Sequence, residues 1–102
     1  MKKIDPIKTQ FDTETEDLVV ENMLKILVDK AKEEVNMAMT YAMNIESAKN
    51  KTEILNAEYH MGKFSAFMDI IEDLSLEKFV EIGENTKDMR QFILSGIDKL
   101  YR

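Results

Sequence analysis

The sequence predicts an all-α protein: a long antiparallel helical hairpin with two shorter helices, arranged like a bundle. Apolar residues recur every three or four positions along most of the chain, which is the spacing of one helical face. Glycine occurs three times and proline once in 102 residues, so few positions oppose helix formation. A run of polar residues at 49–53 divides the periodic sequence into two long segments, and this division predicts the hairpin.

The first predicted helix covers about residues 14–48 and is the longest element. Thr13 and Glu16 have the spacing of a capping box, in which two side chains satisfy free backbone groups at a helix start. They therefore predict that the helix begins here. Its apolar face has one residue at each step of three or four: Val20, Leu24, Leu27, Ala31, Val35, Ala38, Ala42 and Ile45.

The residues before this helix predict a flexible tail. Residues 1–12 contain Pro6 and no apolar period, so we expect them to be loosely attached to a single helical domain at 13–102. The chain begins MKKIDP rather than with a continuous apolar run. We therefore expect no signal peptide and a cytoplasmic location.

The second predicted helix covers about residues 51–73. Asn50 and Glu53 repeat the capping-box spacing, and a short connection usually joins antiparallel neighbours. One continuous helix to residue 73 is the alternative. Gly62 costs about 1 kcal/mol in a helix interior, so it predicts a close crossing with another helix. The apolar face of this helix comprises Ile54, Ala57, Met61, Phe64, Met68 and Ile71.

Two shorter helices are predicted for the rest of the chain. Ser75 is a suitable N-cap for a third helix at about 76–82, and Gly83 is a suitable residue to end it. Asn85 starts a fourth helix at about 86–101, near the chain end. The apolar face of the fourth helix comprises Met89, Phe92, Ile93, Gly96, Ile97 and Leu100.

The unequal lengths of the two long helices predict self-association. At about 1.5 Å per residue the first helix is roughly 50 Å long, and the second is shorter by about a dozen residues. Part of the long apolar face would then be uncovered in a monomer, and burying it is worth about 25 cal/mol per Å². We therefore expect a homodimer that forms along the first helix.

The predicted partner-binding residues lie near the end of the first helix. Small residues one turn apart let another helix approach closely, and methionine side chains adapt to irregular contacts. The alternative interpretation is an ordinary contact in the core of the chain. The predicted site comprises Val35, Ala38, Met39, Ala42 and Met43.

The charge of the chain excludes some classes of partner. The net charge is −6, from 20 acidic and 14 basic residues. Because the basic residues are scattered among acids, they cannot neutralise phosphates as nucleic-acid binding requires. The segment 12–21 holds five acids and no base, so an acidic nucleic-acid mimic or inhibitor is a further alternative. No stretch approaches the length of a membrane span, and we expect no membrane partner.

Few residues of the chain are of types that form catalytic or metal sites. The chain has no cysteine and one histidine, which excludes Cys–His nucleophilic sites and metal sites built from several histidines. His60 falls on the polar side of the second helix, where we expect it to be solvated. We therefore expect no catalytic residues, no metal and no cofactor.

Carboxylates allow one enzymatic alternative. The sequence has Glu33 and Glu34 on the first helix and Asp69 and Glu72 on the second. These pairs partly resemble the magnesium ligands of all-helical nucleotide pyrophosphohydrolases of the MazG type, which follow the pattern E-E-x-x-E and later E-x-x-D. That resemblance implies a magnesium-dependent nucleotide hydrolase. The sequence departs from the pattern, because Met37 replaces the third glutamate and the second pair is reversed.

No complete catalytic site is present, so the sequence favours a different class of function. We expect a small non-catalytic protein that acts in protein interaction or regulation through a helix surface. The long amphipathic helix and the methionine-rich segment are the features that favour this interpretation.

Overall fold

The computed structural model describes the backbone of residues 4–48 and 51–100 and the side chains of residues 17–45 and 51–98. Within these residues the chain forms four helices and no strand, which confirms the predicted all-α, bundle-like fold. The helices are α1 (Ile4–Ala48), α2 (Lys51–Leu74), α3 (Leu76–Asn85) and α4 (Lys87–Leu100).

The two long helices form the predicted hairpin. Helix α1 ends at Ala48 and α2 begins at Lys51, so the chain reverses and does not continue as one helix. The predicted cap at Asn50 lies outside the described residues. Helix α2 packs along the C-terminal part of α1, while α4 packs against both and α3 contacts α2 and α4.

Helix α1 begins earlier than the sequence predicts. It starts at Ile4, and Thr13 lies inside it, so the predicted helix start at Thr13 is wrong. Pro6 is compatible with this start because the first turn of a helix has no intrahelical acceptor for its N–H groups. The flexibility of residues 1–12 stays a prediction. The 45 residues of α1 give a length of roughly 67 Å at about 1.5 Å per residue, and the molecule is 67 Å long.

The core lies between the hairpin and α4, and the predicted apolar faces form most of it. Burial along α1 is most complete at Ala31 and Ala38, which are fully buried, and it decreases toward the N-terminus. Leu24 and Leu27 are half-buried, and Val20 is exposed. On α4, Ile93 is fully buried but Phe92 is exposed, in contrast to its predicted place on the buried face. The buried apolar residues are Ala31, Val35, Ala38, Ala42, Ile45, Ile54, Ala57, Phe64, Met68, Ile71, Ile82 and Ile93.

The caps of α3 and α4 agree with the sequence only in part. The Ser75 hydroxyl accepts a hydrogen bond from the backbone N–H of Lys78 at 3.2 Å, as predicted. Gly83 does not end α3, which continues to Asn85. The break falls at Thr86, whose backbone N–H and hydroxyl both donate to the Ile82 carbonyl. Thr86 is therefore the C-cap residue of α3, and no glycine is needed at this position.

The glycine that marks a close helix crossing is Gly96, and the predicted crossing at Gly62 is wrong. A Cβ atom at Gly96 would lie 3.2 Å from Cδ1 of Ile45 and 3.9 Å from Cβ of Ala42, so α4 approaches α1 closely here. A Cβ atom at Gly62 would have no neighbour within 4 Å. Gly62 therefore has helical backbone with open space above it.

Replacing Gly62 by alanine should stabilise the protein. Alanine is favoured over glycine in a helix interior by about 1 kcal/mol, and no atom opposes the added methyl group. We expect the free energy of unfolding in urea to rise by about that amount. Gly96→Ala is the matched comparison and should gain less, because Ile45 must shift. A loss of stability in Gly62→Ala would mean that another helix does cross at this position.

Candidate functional site

The predicted partner-binding residues are divided between the core and the surface. Val35, Ala38 and Ala42 are 1 %, 0 % and 5 % exposed, and they pack inside the chain's own core. The close approach that their small side chains allow is made in part by Gly96 of α4 against Ala42. Met39 is half-buried and Met43 is exposed. Binding of a partner at Met39 and Met43 stays a prediction.

A larger apolar surface lies nearer the N-terminus of α1. Five large apolar side chains in this part of the helix are between 38 % and 58 % exposed. The cause is the unequal length of the hairpin, since α1 has 45 residues and α2 only 24. We call this surface the overhang face, and it comprises Leu18, Val19, Val20, Met23 and Ile26.

Four of the five residues of the overhang face lie on one side of α1, since steps of three and four residues join Val19, Val20 and Ile26 to Met23. Leu18 lies on another side of the helix, among the polar residues Glu21, Asn22 and Lys25, which follow it by three, four and seven positions. The side of this segment that faces the core includes Leu24, which packs against the buried residues. Isolated exposed apolar residues need no explanation, but four large apolar residues exposed on one side of a helix are typical of a surface that contacts another molecule.

A second apolar surface is a groove of about 950 Å³ between α2, α3 and α4. Aromatic and aliphatic side chains line it together with charged groups of both signs. Arg90 is engaged within the fold, since its guanidinium donates to the Gly83 carbonyl at 2.7 Å and to the Thr86 hydroxyl at 3.1 Å. The lining residues include Glu58, Met61, Gly62, Phe64, Met68, Asp69, Phe79, Val80, Gly83, Glu84, Lys87, Arg90, Leu94 and Ile97.

The four carboxylates of the enzymatic alternative do not converge. Glu33, Asp69 and Glu72 are exposed, whereas Glu34 is buried. Among the described residues, no group of three or more acidic or histidine side chains is placed to hold a metal ion. Magnesium requires several oxygen ligands around one point, and this part of the chain does not provide them.

Glu34 belongs instead to a polar cluster inside the hairpin. Its side chain is 8 % exposed and those of His60 and Lys63 are 14 % and 41 % exposed. Nδ1 of His60 lies 2.6 Å from Oε1 of Glu34, and Nζ of Lys63 lies 3.2 Å from Oε2. An ionised carboxylate only accepts hydrogen bonds, so Nδ1 of His60 carries a proton and donates the hydrogen bond to Glu34. The cluster joins α1 to α2 across 26 positions of sequence.

Aromatic rings enclose the histidine of this cluster. The Tyr41 ring stacks on His60 with 5.5 Å between ring centroids and an angle of 7° between the planes. Tyr59 meets His60 edge-on at 5.1 Å, and Nζ of Lys63 lies 5.1 Å from the centroid of the Tyr59 ring. The predicted solvated position of His60 is therefore wrong.

The surroundings of the cluster shift the pKa values of two of its groups. Burial is the largest single influence on Glu34 and raises its pKa, but the hydrogen bonds and positive charges of His60 and Lys63 together outweigh it. The net result is a pKa below the ordinary value of 4.5. The hydrogen bond to Glu34 raises the pKa of Lys63. Both carboxylate oxygens of Glu34 accept contacts from α2. The Glu34 side chain therefore holds α1 to α2 and is a poor candidate for a general base or a metal ligand.

The sequence contains one signal that could have located this cluster. In an antiparallel hairpin that reverses near residue 49, positions equally distant from the reversal lie opposite each other. This rule places Glu34 opposite the region of His60 and Lys63 to within about one helical turn. It places Asp69 and Glu72 further along α2, away from Glu34. The rotation of each helix about its axis was the missing information.

Comparison with protein-family models, with curated proteins and with solved structures found no match for this chain. Within the described part of the chain, no helix combines the length and apolar character needed to cross a membrane. The features of the described residues that bear on function are the overhang face, the groove between α2, α3 and α4, and the Glu34 cluster.

Proposed function

We propose that this chain is a small non-catalytic protein of interaction or regulation, which acts in the cytoplasm by binding protein through the surface of α1, as a homodimer. The observation that carries this proposal is the overhang face. Its five large apolar residues are exposed on a helix that extends beyond the helices able to cover it. Burying apolar area of this kind against a protein partner lowers the free energy of the complex.

The position of the overhang face supports an interaction role for a second reason. The five residues lie outside the buried core, so the packing of the core does not depend on their side chains. They can therefore be changed without emptying or overfilling the interior. Binding and folding can be separated by mutation at this face, which makes the proposal testable.

The test is recovery of bound protein from the native host with three single variants. Ile26→Glu places a charge in the overhang face, Met43→Glu changes the exposed part of the sequence-predicted site, and Leu55→Glu is the control on α2. Ile26 and Leu55 are matched, since both are 58 % exposed. We expect Ile26→Glu alone to reduce recovery of a partner more than tenfold, by burying an unpaired charge. Equal recovery with Ile26→Glu and Leu55→Glu would contradict the proposed surface.

The absence of catalysis has its own test. Purified protein should not hydrolyse nucleoside triphosphates when magnesium is added. Hydrolysis that is lost in Glu33→Gln and in Asp69→Asn would support the enzymatic alternative. Both residues are exposed, so these substitutions leave the fold intact and a loss of hydrolysis could be assigned to the carboxylates.

A further inference from the structure

We propose that the groove between α2, α3 and α4 binds one helix of a partner protein. This helix is about three turns long, at about 1.5 Å per residue, and it is basic along the flank beside α2 and acidic along the flank beside α4. The groove has a volume of about 950 Å³, and none of its described lining residues belongs to α1. It is therefore a surface separate from the overhang face.

Two glycines leave the groove open. Gly62 of α2 and Gly83 of α3 both line it, and a Cβ atom at either position would have no neighbour within 4 Å. Glycine is disfavoured within helices, and neither glycine has a left-handed backbone that would favour it. Glycine also lets another backbone or a ligand approach a helix closely. The two open glycines therefore indicate a groove that accommodates another molecule close to α2 and α3.

The shape of the groove fits a helix better than a small molecule. Its lining covers residues 58–69 of α2 and 87–97 of α4, which is about 15 Å, or three helical turns, along each wall. Val80 and Leu94 line it but are 51 % and 53 % exposed, so part of its apolar lining is open to solvent. Small-molecule sites usually enclose most of the ligand surface. A helix in an apolar groove keeps its own outer face in solvent.

The charged residues of the groove determine the flanks of this helix. Among the described lining residues, α2 contributes Glu58 and Asp69 and no base, whereas α4 contributes Lys87 and Arg90 and no acid. Helix α3 adds one further acid, Glu84. The hydrogen bonds that Arg90 donates within the fold leave its positive charge in place. A helix with basic residues on one flank and acidic residues on the other therefore complements both walls.

Apolar contact provides the affinity, and charge provides the orientation. Val80 and Leu94 lie on different helices, and burying their exposed area against the partner favours the complex. Met61 is half-buried in the same lining, and its flexible side chain can adapt to the partner. Exposed charge pairs add little affinity, but a mismatched pair disfavours the wrong orientation. The walls are helices, so they offer no free strand edge to an extended peptide.

The first measurement is the affinity of the full chain for a synthetic helical peptide, read by fluorescence anisotropy. The peptide carries leucines along one face, lysines along one flank and glutamates along the other. It is stapled on its outer side, because short isolated helices are only marginally stable in water. We expect a micromolar dissociation constant. A peptide that does not bind at any micromolar concentration of the protein would overturn the inference.

Two variants show whether the peptide occupies the groove. Gly62→Leu fills the open space with a residue that favours helices, and Leu94→Glu places a charge in the apolar contact. Each should raise the dissociation constant more than tenfold while the helical circular-dichroism signal is retained. Leu55→Glu is the matched control, since Leu55 is 58 % exposed on α2 but does not line the groove. Unchanged affinity in both groove variants would overturn the inference.

A pair of lysine variants tests the charge of the α4 wall. Lys87→Glu reverses a charge in the groove, and Lys32→Glu reverses an exposed charge on α1. Both change the net charge of the chain equally, so a difference between them reports local contact. At physiological salt, which screens distant charges, Lys87→Glu should weaken peptide binding by about threefold or more relative to Lys32→Glu. Equal affinities would overturn the assignment of an acidic flank beside α4.

Other occupants give different results, and each of them counts against the inference. If the small apolar dye anilinonaphthalene sulfonate binds the wild type but not Gly62→Leu, while the peptide does not bind, the groove holds a small molecule. If light scattering shows a wild-type dimer and a Gly62→Leu monomer, a second copy of the chain occupies the groove. Failure of the inference leaves the proposed interaction through α1 intact, because the groove and the overhang face share no residue.

Discussion

Replacing Ala38 by glutamate should unfold the helical hairpin. Ala38 is fully buried on α1 among the core residues of the chain. A glutamate side chain is larger and would bring an unpaired carboxylate into an apolar interior, at a cost of several kcal/mol. A domain of this size is stabilised by only about 5–15 kcal/mol. We expect a large loss of the helical circular-dichroism signal, or a sharply lower thermal midpoint.

The control for this experiment is Met43→Glu. Met43 lies on the same helix, five positions further on, and is 63 % exposed. It should retain the helical signal and change the free energy of unfolding by no more than about 0.5 kcal/mol. If Ala38→Glu instead folds with near wild-type stability and loses only a partner, Ala38 belongs to a binding surface and the described core is wrong at this position.

The spacing of apolar residues was sufficient to predict which faces of α1 and α2 are buried. Ile54, Phe64 and Ile71 were assigned to the face of α2 that the structure buries. Helix periodicity is a local property of the sequence, and a stripe longer than four turns is difficult to produce by chance. The same reasoning predicted that part of this apolar face of α1 is uncovered, and Val20 is exposed as expected. The other four residues of the overhang face lie outside the predicted apolar face, and their exposure was not predicted.

The structural roles of individual glycines and caps could not be predicted in the same way. Gly62 and Gly96 both lie inside helices, but only Gly96 faces another helix closely. Their difference depends on the rotation of α2 and α4 relative to α1, which the local sequence does not contain. Thr13 and Gly83 match end signals that the structure does not use, because a cap residue stabilises a helix end without being able to impose one.

The Glu34 cluster was missed because it depends on contact between two helices. On α1 alone, Glu34 lies next to the exposed Glu33 and resembles one of many surface acids. On α2 alone, the spacing assigned His60 to the polar side, where it was expected to be solvated. Only the register of the hairpin brings them to 2.6 Å. Buried polar groups require such partners, so the burial of Glu34 and the position of His60 explain each other.

The polar cluster should make the stability of the hairpin depend on pH in the acidic range. The pKa of Glu34 is lower in the folded chain than its ordinary value of 4.5, so the unfolded chain binds this proton more tightly. The stabilising contribution is therefore fully present above the unfolded pKa and is lost as the pH falls through the folded pKa. Protonation of Glu34 also removes the charge that attracts His60 and Lys63.

Glu34→Gln isolates this contribution, because glutamine keeps the shape of the side chain but not its charge. Hydrogen bonds to charged groups are worth about 1.5–3 kcal/mol, so we expect the variant to be less stable than the wild type by that amount at pH 7. The difference in unfolding free energy, measured in urea at each pH, should shrink as the pH is lowered below about 4.5, the ordinary carboxylate value. Glu33→Gln is the matched control, since the carboxylate of Glu33 is exposed, and its difference in unfolding free energy from the wild type should stay small at every pH. A difference for Glu34→Gln that remains constant down to pH 3 would mean that the charge of Glu34 does not hold α1 to α2, and that burial and shape alone maintain the contact.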